Sequence, residues 1–403
     1  ETAAFLLDDL GTAEGGFASA LDADADGVEG LTYVWTPPQL AEVLPPDDAA
    51  WAAELLSVTP HGTFEQGAST LQLRTDPDDW ARWDAARDLL LAARSGRPQP
   101  VRDDKVVAGW NGLAITALTE AGVVLDEPSW VRAAQRCGEL VMGVHWDGSR
   151  LRRVSRDGVA GSPAGVLEDY GALAEGLLAL LGATGDPGWL RHAQALLDVA
   201  LEQFVEDEVY DTARDATDDR LGRRPSDPTD NASPSGRSTL VQALVLAGAV
   251  TGEARYREAA EKGLGTAATL ATQAPRFVAW ALAAAESLLA GPLEVAVVGP
   301  SVDPAAATLH RVARTAAMPG SAVVRGQPGP GFSDGVPLLA GRDLVGGESA
   351  AYVCRGFVCR RPLTDGDALR SVLRRPAQRG RRRVPPPGAG RGGAAPGPPR
   401  RGA

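Results

Sequence analysis

Three short stretches of this sequence repeat: DEPSWVRAAQ from residue 126, GDPGWLRHAQ from 185 and GEARYREAAE from 252. Each places a polar turn before an aromatic residue, and each aromatic opens an Ala-rich segment with apolar residues at helical spacing. The aromatics, Trp130, Trp189 and Tyr256, lie 59 and 67 residues apart. Another helix-period segment precedes each of them, so the repeating unit is a pair of antiparallel helices. That period is too long for a solenoid of roughly 34-residue repeats. It suits a toroid of hairpins in which the first helix lines the centre, the second covers it, and the loops at one rim carry function.

The periodicity predicts helices over 78–94 (after the Asp76-Pro77 start signal), 112–125, 129–142, 169–181, 189–204, 238–250, 255–271 and 276–289. Past residue 291 the pattern changes. LEVAVVG (293–299) alternates and is β-branched, which reads as a strand. A helix over 304–317, a strand SAVVR, a strand AAYVCRGFVC and a short helix from Asp365 follow. No glycine-rich phosphate loop precedes a helix there. The expected fold is therefore mainly α: an (α/α) six-hairpin toroid, incomplete, with a small C-terminal α/β appendage. The expected units are 1–291, 292–375 and a tail over 376–403.

The net charge of −12 conceals an asymmetry: nine arginines and no acid lie from Ser371 onward, so residues 1–370 carry −21. An acidic body argues against nucleic acid as its partner. The Arg/Pro/Gly-rich tail has no apolar periodicity and is expected to be disordered or not native coding sequence. Glu at position 1 reads as a fragment edge, and an incomplete barrel is expected to expose apolar core and dissolve poorly. No run of eighteen apolar residues is present, so no membrane span is expected. Three cysteines do not build a disulfide framework. Cys137 shares an apolar stripe with Trp130, Ala134 and Val141 and reads as core. Cys354 and Cys359, five apart in a single strand, would point to opposite faces. A reducing, cytoplasmic setting follows.

Polar motifs recur where an inner helix starts: DDKVVAGWNG (103–112), LEDYG (167–171) and TDNASPSGRS (229–238). Asn111 precedes Trp130 by 19 residues, Asp169 precedes Trp189 by 20, and Ser235 precedes Tyr256 by 21. Matched positions in successive hairpins face one rim, so Lys105, Trp110, Asn111, Glu168, Asp169, Tyr170, Asp230, Asn231, Ser235 and Arg237 are expected to converge there. The chain's two asparagines, Asn111 and Asn231, both fall in these motifs, as does Lys105, one of only two lysines. The plain alternative is helix capping by Asp, Asn and Ser, which accounts for one residue per motif.

A fourth motif, EGGFASALDADADGVEGLTYVW (14–35), supplies Asp22 and Asp24 and ends in an expected strand LTYVW with Tyr33 and Trp35. DADADG resembles the start of a calcium loop, but position 12 is Tyr33 where a bidentate Glu belongs, which excludes a standard EF-hand. A looser oxygen-ligand site stays open, and no metal or cofactor is assigned. Carboxylates that take hydroxyl hydrogens, beside aromatics that cover C–H faces, suit a polyhydroxylated ligand. Asp104, Asp169 and Asp230 are the candidate acid and base groups. Asp22, Asp24, Tyr33, Trp35 and the other rim residues are candidate binding groups. His61, His145, His192 and His310 lie outside the motifs, so no nucleophile–His pair is expected.

Four ordered stretches, GGFASALDADADGVEGLTYVWTP, DDKVVAGWNGLAI, LEDYGALAEGLL and DNASPSGRS, carry a resemblance over about residues 1–375. The chain resembles the thioredoxin domain-containing family that includes spermatogenesis-associated protein 20. The resemblance implies an N-terminal thioredoxin-like domain in the intact protein, followed by an (α/α)₆ toroid similar to six-hairpin glycosidases and sugar 2-epimerases. This sequence departs at both ends, lacking that domain and ending in an unlike tail. Carbohydrate-type binding at one rim is the leading expectation, with sugar isomerisation and glycoside hydrolysis as its chemistries. The alternative is a non-catalytic scaffold for a thioredoxin-like redox or chaperone protein.

Overall fold

The helix over Leu167–Thr184 buries 14 of its 18 residues, whereas the one over Pro128–Val144 buries 6 of 17 along a single stripe. A helix apolar all round must sit inside others, and a one-stripe helix must cover something. The computed structural model of the chain, which describes residues 1–216, 223–318, 320–329, 331 and 335–374, places them so. The tail over 376–403 lies outside the described residues.

The chain opens with α1 (Thr2–Asp8), β1 (Ala18–Leu21), β2 (Asp24–Ala25), β3 (Val28–Glu29), α2 (Pro37–Val43), α3 (Pro46–Leu55), α4 (Trp80–Ser95) and β4 (Arg102–Val107). Hairpins follow: α5 (Ala108–Val124) with α6 (Pro128–Val144), and, after β5 (Val154–Arg156) and β6 (Val159–Ala160), α7 (Leu167–Thr184) with α8 (Pro187–Phe204). Then come α9 (Gly236–Thr251), α10 (Ala254–Gly263), α11 (Gly265–Gln273) and α12 (Ala279–Ala290). The C-terminal part holds β7 (Glu294–Val298), α13 (Pro304–Ala316), β8 (Ala322–Gly326), β9 (Ala350–Arg355), β10 (Val358–Cys359) and α14 (Gly366–Leu373).

The inner helices α5, α7, α9 and α12 pack in series, with α6, α8 and α10 behind them. The protein is mainly α, of (α/α)-hairpin type, with a small sheet part. The repeat aromatics begin the outer helices as the spacing predicts. Trp189 packs over Gly138 of the preceding hairpin, and Tyr256 is fully buried. Glycines bring the inner helices close: a Cβ on Gly171 would lie 2.6 Å from the Leu240 amide nitrogen, and one on Gly176 would lie 2.7 Å from the Gly112 carbonyl oxygen. Beyond α9, the outward face of α12 exposes Trp280, Leu282 and Leu289. Among the described residues no helix is long and apolar enough to cross a membrane.

One sheet has the order β1-β4-β5-β6, all antiparallel, and a second has the order β10-β9-β7-β8, parallel only between β7 and β8. Every residue of β7 is buried, as its central position demands. Its alternation serves two cores. Ala296 and Val298 join the helical core, while Val295 and Val297 meet Leu309, Val312, Leu369 and Leu373 of α13 and α14. The second sheet sits at the C-terminal ends of the inner helices: Arg314 pairs with Glu120 of α5, and His310 bonds the Gly182 carbonyl of α7.

That histidine sets a pH dependence. His310 is buried, its Nε2–H donates to the Gly182 oxygen at 3.1 Å, and burial holds its pKa down at about 3. A base whose folded pKa is depressed contributes stability that is complete above the unfolded value of about 6.5 and lost as pH falls toward the folded one. Between pH 7.5 and 4.5 this one group is expected to cost roughly 2–3 kcal/mol. Guanidinium unfolding at both pH values should show a larger drop for the native chain than for His310→Gln. Equal drops would remove the assignment.

Five expectations change. DDKVV is not the start of a helix but β4, because it pairs with β1 on one side and β5 on the other before turning into α5 at Ala108. LTYVW is not a strand: residues 31–34 form a turn, and only Trp35 bridges, to Ser69. The helix expected over 255–271 breaks between α10 and α11. AAYVCRGFVC is a hairpin, not one strand, since Gly356 and Phe357 turn the chain with positive φ. Cys354 therefore faces Cys359 across the hairpin and is bonded to it, contrary to the opposite-face expectation. Cys137 is buried in the helical core.

Candidate functional site

The starts of α5, α7 and α9 meet at one end of the arc, and Asp169 ties the first two together. Its side chain is fully buried; Oδ1 accepts the Gly109 N–H at 2.9 Å, and Oδ2 accepts the Val166 N–H at 2.9 Å and Arg153 Nη1 at 2.9 Å. Burial pushes the Asp169 carboxyl above the usual carboxylate range, against the pull of Arg153 and the two N–H groups. Arg153 also holds Glu168, Nη2 to Oε1 at 2.6 Å. The start of α9 lies against this pair: a Cβ on Gly236 would meet the Glu168 amide nitrogen at 2.8 Å. Asp211, on the loop after α8, closes the group, and its carbonyl accepts the Leu167 N–H.

An opening of about 300 Å³ is bordered here by Arg153, Val166, Glu168, Asp211 and Gly236. The volume is at the lower end of small-molecule sites. Glu168 is 31% exposed and Arg153 29%, so both charges reach the opening while bonded to each other. Burial raises the Asp211 carboxyl, opposed by the Asp227 N–H that it accepts and raised further by the charge of Glu168 nearby. The arrangement offers a charged carboxylate, a guanidinium and a second carboxyl that holds its proton more tightly.

Other motif residues are spent on structure. Asn111, buried, accepts the Phe17 N–H at 2.8 Å and donates to the Phe17 and Val107 carbonyls, which fixes the 14–21 segment to α5. Tyr170 packs on Phe204, and its hydroxyl accepts the Leu151 N–H. Asp230 caps two elements at once, accepting the N–H of Ser235 at 3.0 Å and of Trp280 at 2.9 Å. Ser235 caps α9 through the Ser238 N–H. Arg237, 3% exposed, holds Glu208, the Val209 carbonyl and Ser226. Asn231 is exposed, as is Trp110.

The β4 residues divide by strand alternation. Lys105 pairs with Asp103 at 3.0 Å and Asp104 with Arg102 at 2.6 Å, so Asp104 and Lys105 look to opposite faces rather than to one mouth. The acidic loop joins this sheet, since Ala20 and Leu21 pair with Asp103 and Arg102. DADADG folds as a tight hairpin with Asp26 and Gly27 at positive φ and Asp24 opposite Glu29, leaving Asp22 and Asp24 exposed. Among the described residues no group of three His, Cys, Asp or Glu side chains is placed to hold a metal ion.

Tyr33 and Trp35 lie elsewhere. Trp35 is 1% exposed, in a core with Leu40, Leu56 and Leu90 of the α2–α4 region, with Arg97 stacked 3.8 Å over its ring. Both aromatics border a different cavity, about 650 Å³, with Asp8, Arg87 and Arg94; it shares no lining residue with the Glu168 opening. Arg153 and Asp211 fall in no sequence motif: Arg153 lies at a bend just before β5, and Asp211 in the loop after α8.

No family model matches the chain. Human spermatogenesis-associated protein 20 is 25% identical over 419 residues, covering 92% of this chain and 53% of that protein. The chain is thus similar to spermatogenesis-associated protein 20 over most of its own length. The mouse protein of that name is 26% identical over 89% of this chain, and an uncharacterised Caenorhabditis elegans protein is 25% identical over 87%. The chain spans about half the length of these curated relatives. Among solved structures, a D-mannose isomerase is 15% identical with a TM-score of 0.34, over 65% of this chain and 66% of that one. Cellobiose 2-epimerase from Spirochaeta thermophila is 17% identical with a TM-score of 0.33, over 40% and 42%. Scores this low transfer no residue roles.

Proposed function

We propose that the protein binds a small polyhydroxylated, sugar-type ligand in the opening bordered by Glu168, Arg153 and Asp211. The observation that carries this reading is the opening itself, with two carboxyls and a guanidinium at the meeting point of α7 and α9. Glu168 accepts hydroxyl hydrogens, Arg153 donates to ring or carbonyl oxygens, and Asp211, its carboxyl raised by burial, faces the same opening as the second carboxyl. Isomerisation beside a carbonyl, or hydrolysis of a glycoside, would use two such carboxyls as acid and base. Asp169 and Asp230 then act as supports that fix the helix starts, and Asp104 stands apart.

Calorimetric titration with a panel of monosaccharides and oligosaccharides tests this. Glu168→Gln and Asp211→Asn are each expected to weaken binding about tenfold or more, the loss of a charge-assisted hydrogen bond, while Asp104→Asn leaves it unchanged. Binding indifferent to both rim substitutions, or none across the panel, would count against the site. A second reading is a non-catalytic scaffold for a thioredoxin-like redox or chaperone partner. It draws support from the number of motif residues, Asn111, Asp169, Asp230 and Arg237 among them, that are bonded within the protein.

A further inference from the structure

The hairpin of β9 and β10 places Cys354 opposite Cys359, and the two sulfurs are bonded. The pair is asymmetric. Cys354 is 2% exposed, while Cys359 is exposed on the edge strand. Arg342 reaches both: its Nη2 lies 3.0 Å from the Cys359 sulfur and 3.5 Å from the Cys354 sulfur. Its Nε is buried with no partner, and among the described residues no carboxylate forms an ion pair with it. The Glu294 charge acts on it from a distance, but its contacts are with sulfur, and a half-buried guanidinium aimed at sulfur is what a thiolate needs and a neutral disulfide does not.

The hairpin does not depend on the bond for its shape. The N–H groups of Gly356 and Phe357 donate to the buried Glu294 carboxylate at 2.9 and 2.7 Å, and β9 is paired with β7 from Ala350 to Cys354. Cys354 and Cys359 would therefore stay adjacent when reduced.

We infer that Cys354 and Cys359 form a thiol–disulfide exchange site whose co-reactant is a dithiol. A thiolate of the dithiol attacks the exposed Cys359 sulfur. The Cys354–Cys359 bond breaks, and its electron pair leaves on Cys354 as a thiolate beside Arg342. The second thiol of the dithiol, deprotonated, attacks its own sulfur in the mixed disulfide and releases Cys359, which takes up a proton. Two electrons pass to the chain, and the dithiol becomes a disulfide.

The test uses the full chain, with mass spectrometry after rapid alkylation. Dithiothreitol is expected to convert the bonded pair to two thiols, and oxidised glutathione to restore the intramolecular bond. Cys137, buried in the helical core, stays silent. Cys354→Ser should accumulate glutathione on Cys359, whereas Cys359→Ser should leave the buried Cys354 unmodified. Arg342→Gln should slow alkylation of the reduced native pair at pH 7 by roughly tenfold, the loss of one neighbouring cation. A pair that stays reduced in oxidised glutathione would overturn the site. So would equal reactivity of the two single variants, or an Arg342→Gln protein that alkylates at the native rate. Reduced glutathione opening the bond as fast as dithiothreitol at equal thiol concentration would overturn the dithiol assignment. The native-chain measurements need no substitution, so misfolding of a variant leaves the inference testable.

Discussion

Asp169→Ala is expected to destabilise the protein by about 3 kcal/mol, near the cost of breaking a buried ion pair. The choice between effects rests on what the carboxylate holds. If Asp169 were only a cap on α7, its loss would cost about 1 kcal/mol. Its oxygens instead accept from Val166, from Gly109 at the start of α5, and from Arg153. Removing them leaves two N–H groups without partners and a guanidinium with only Glu168 to balance it. That residual pairing keeps the cost at the low end of the range for buried pairs. Asp169→Asn, which retains one acceptor, should fall between. Chemical denaturation of the three proteins at one pH checks the order. A loss of 1 kcal/mol or less for Asp169→Ala would reduce the residue to a cap.

This bears on how the rim could be read in the sequence. The hairpins were legible because Trp130, Trp189 and Tyr256 open outer helices in the same way, and because inner helices such as α7 are apolar all round. The place of the rim was legible too, since Asn111, Asp169 and Ser235 all lie within the first turns of inner helices or just before them. Their roles were not. Spacing fixes the end of a helix a residue occupies, but not whether its side chain turns inward to bond a neighbour. Asn111 turns to the Phe17 backbone 94 residues away, and Arg237 to Glu208. Of the groups that reach the opening, Glu168 lies in a motif, but Arg153 and Asp211 come from a bend before β5 and a loop with no periodicity to mark them. Local chemistry likewise misjudged DDKVV, whose pairing partners are β1, more than 80 residues upstream, and β5. Gly356 carried a turn signal inside AAYVCRGFVC, and a hairpin there would have predicted the cysteine pairing.

Gly112→Val should cost about 3 kcal/mol, the upper part of the range for overpacking a core. An ideal Cβ at this position lies 2.5 Å from the Ala172 carbonyl carbon and 2.5 Å from the Leu173 nitrogen. Those atoms are backbone of α7, so no rotamer change relieves the contact; α5 and α7 would have to separate. Separation would also strip packing from Ile115 and Leu173, both fully buried in the same core. Helix propensity pulls the other way, since replacing a mid-helix glycine by alanine gains up to about 1 kcal/mol. Gly143, in the last turn of the outer helix α6 with nothing within 4 Å of its Cβ position, shows the propensity effect without a packing clash. Gly143→Ala should therefore hold or slightly raise the melting temperature, while Gly112→Ala lowers it and Gly112→Val lowers it further. The drop should also reach the rim. Gly109 and Asp169 are joined across the same two helices, so sugar titration of a still-folded Gly112→Ala protein should show weaker binding at the Glu168 opening. A Gly112→Ala protein as stable as the native one would mean that α5 and α7 pack less closely than described.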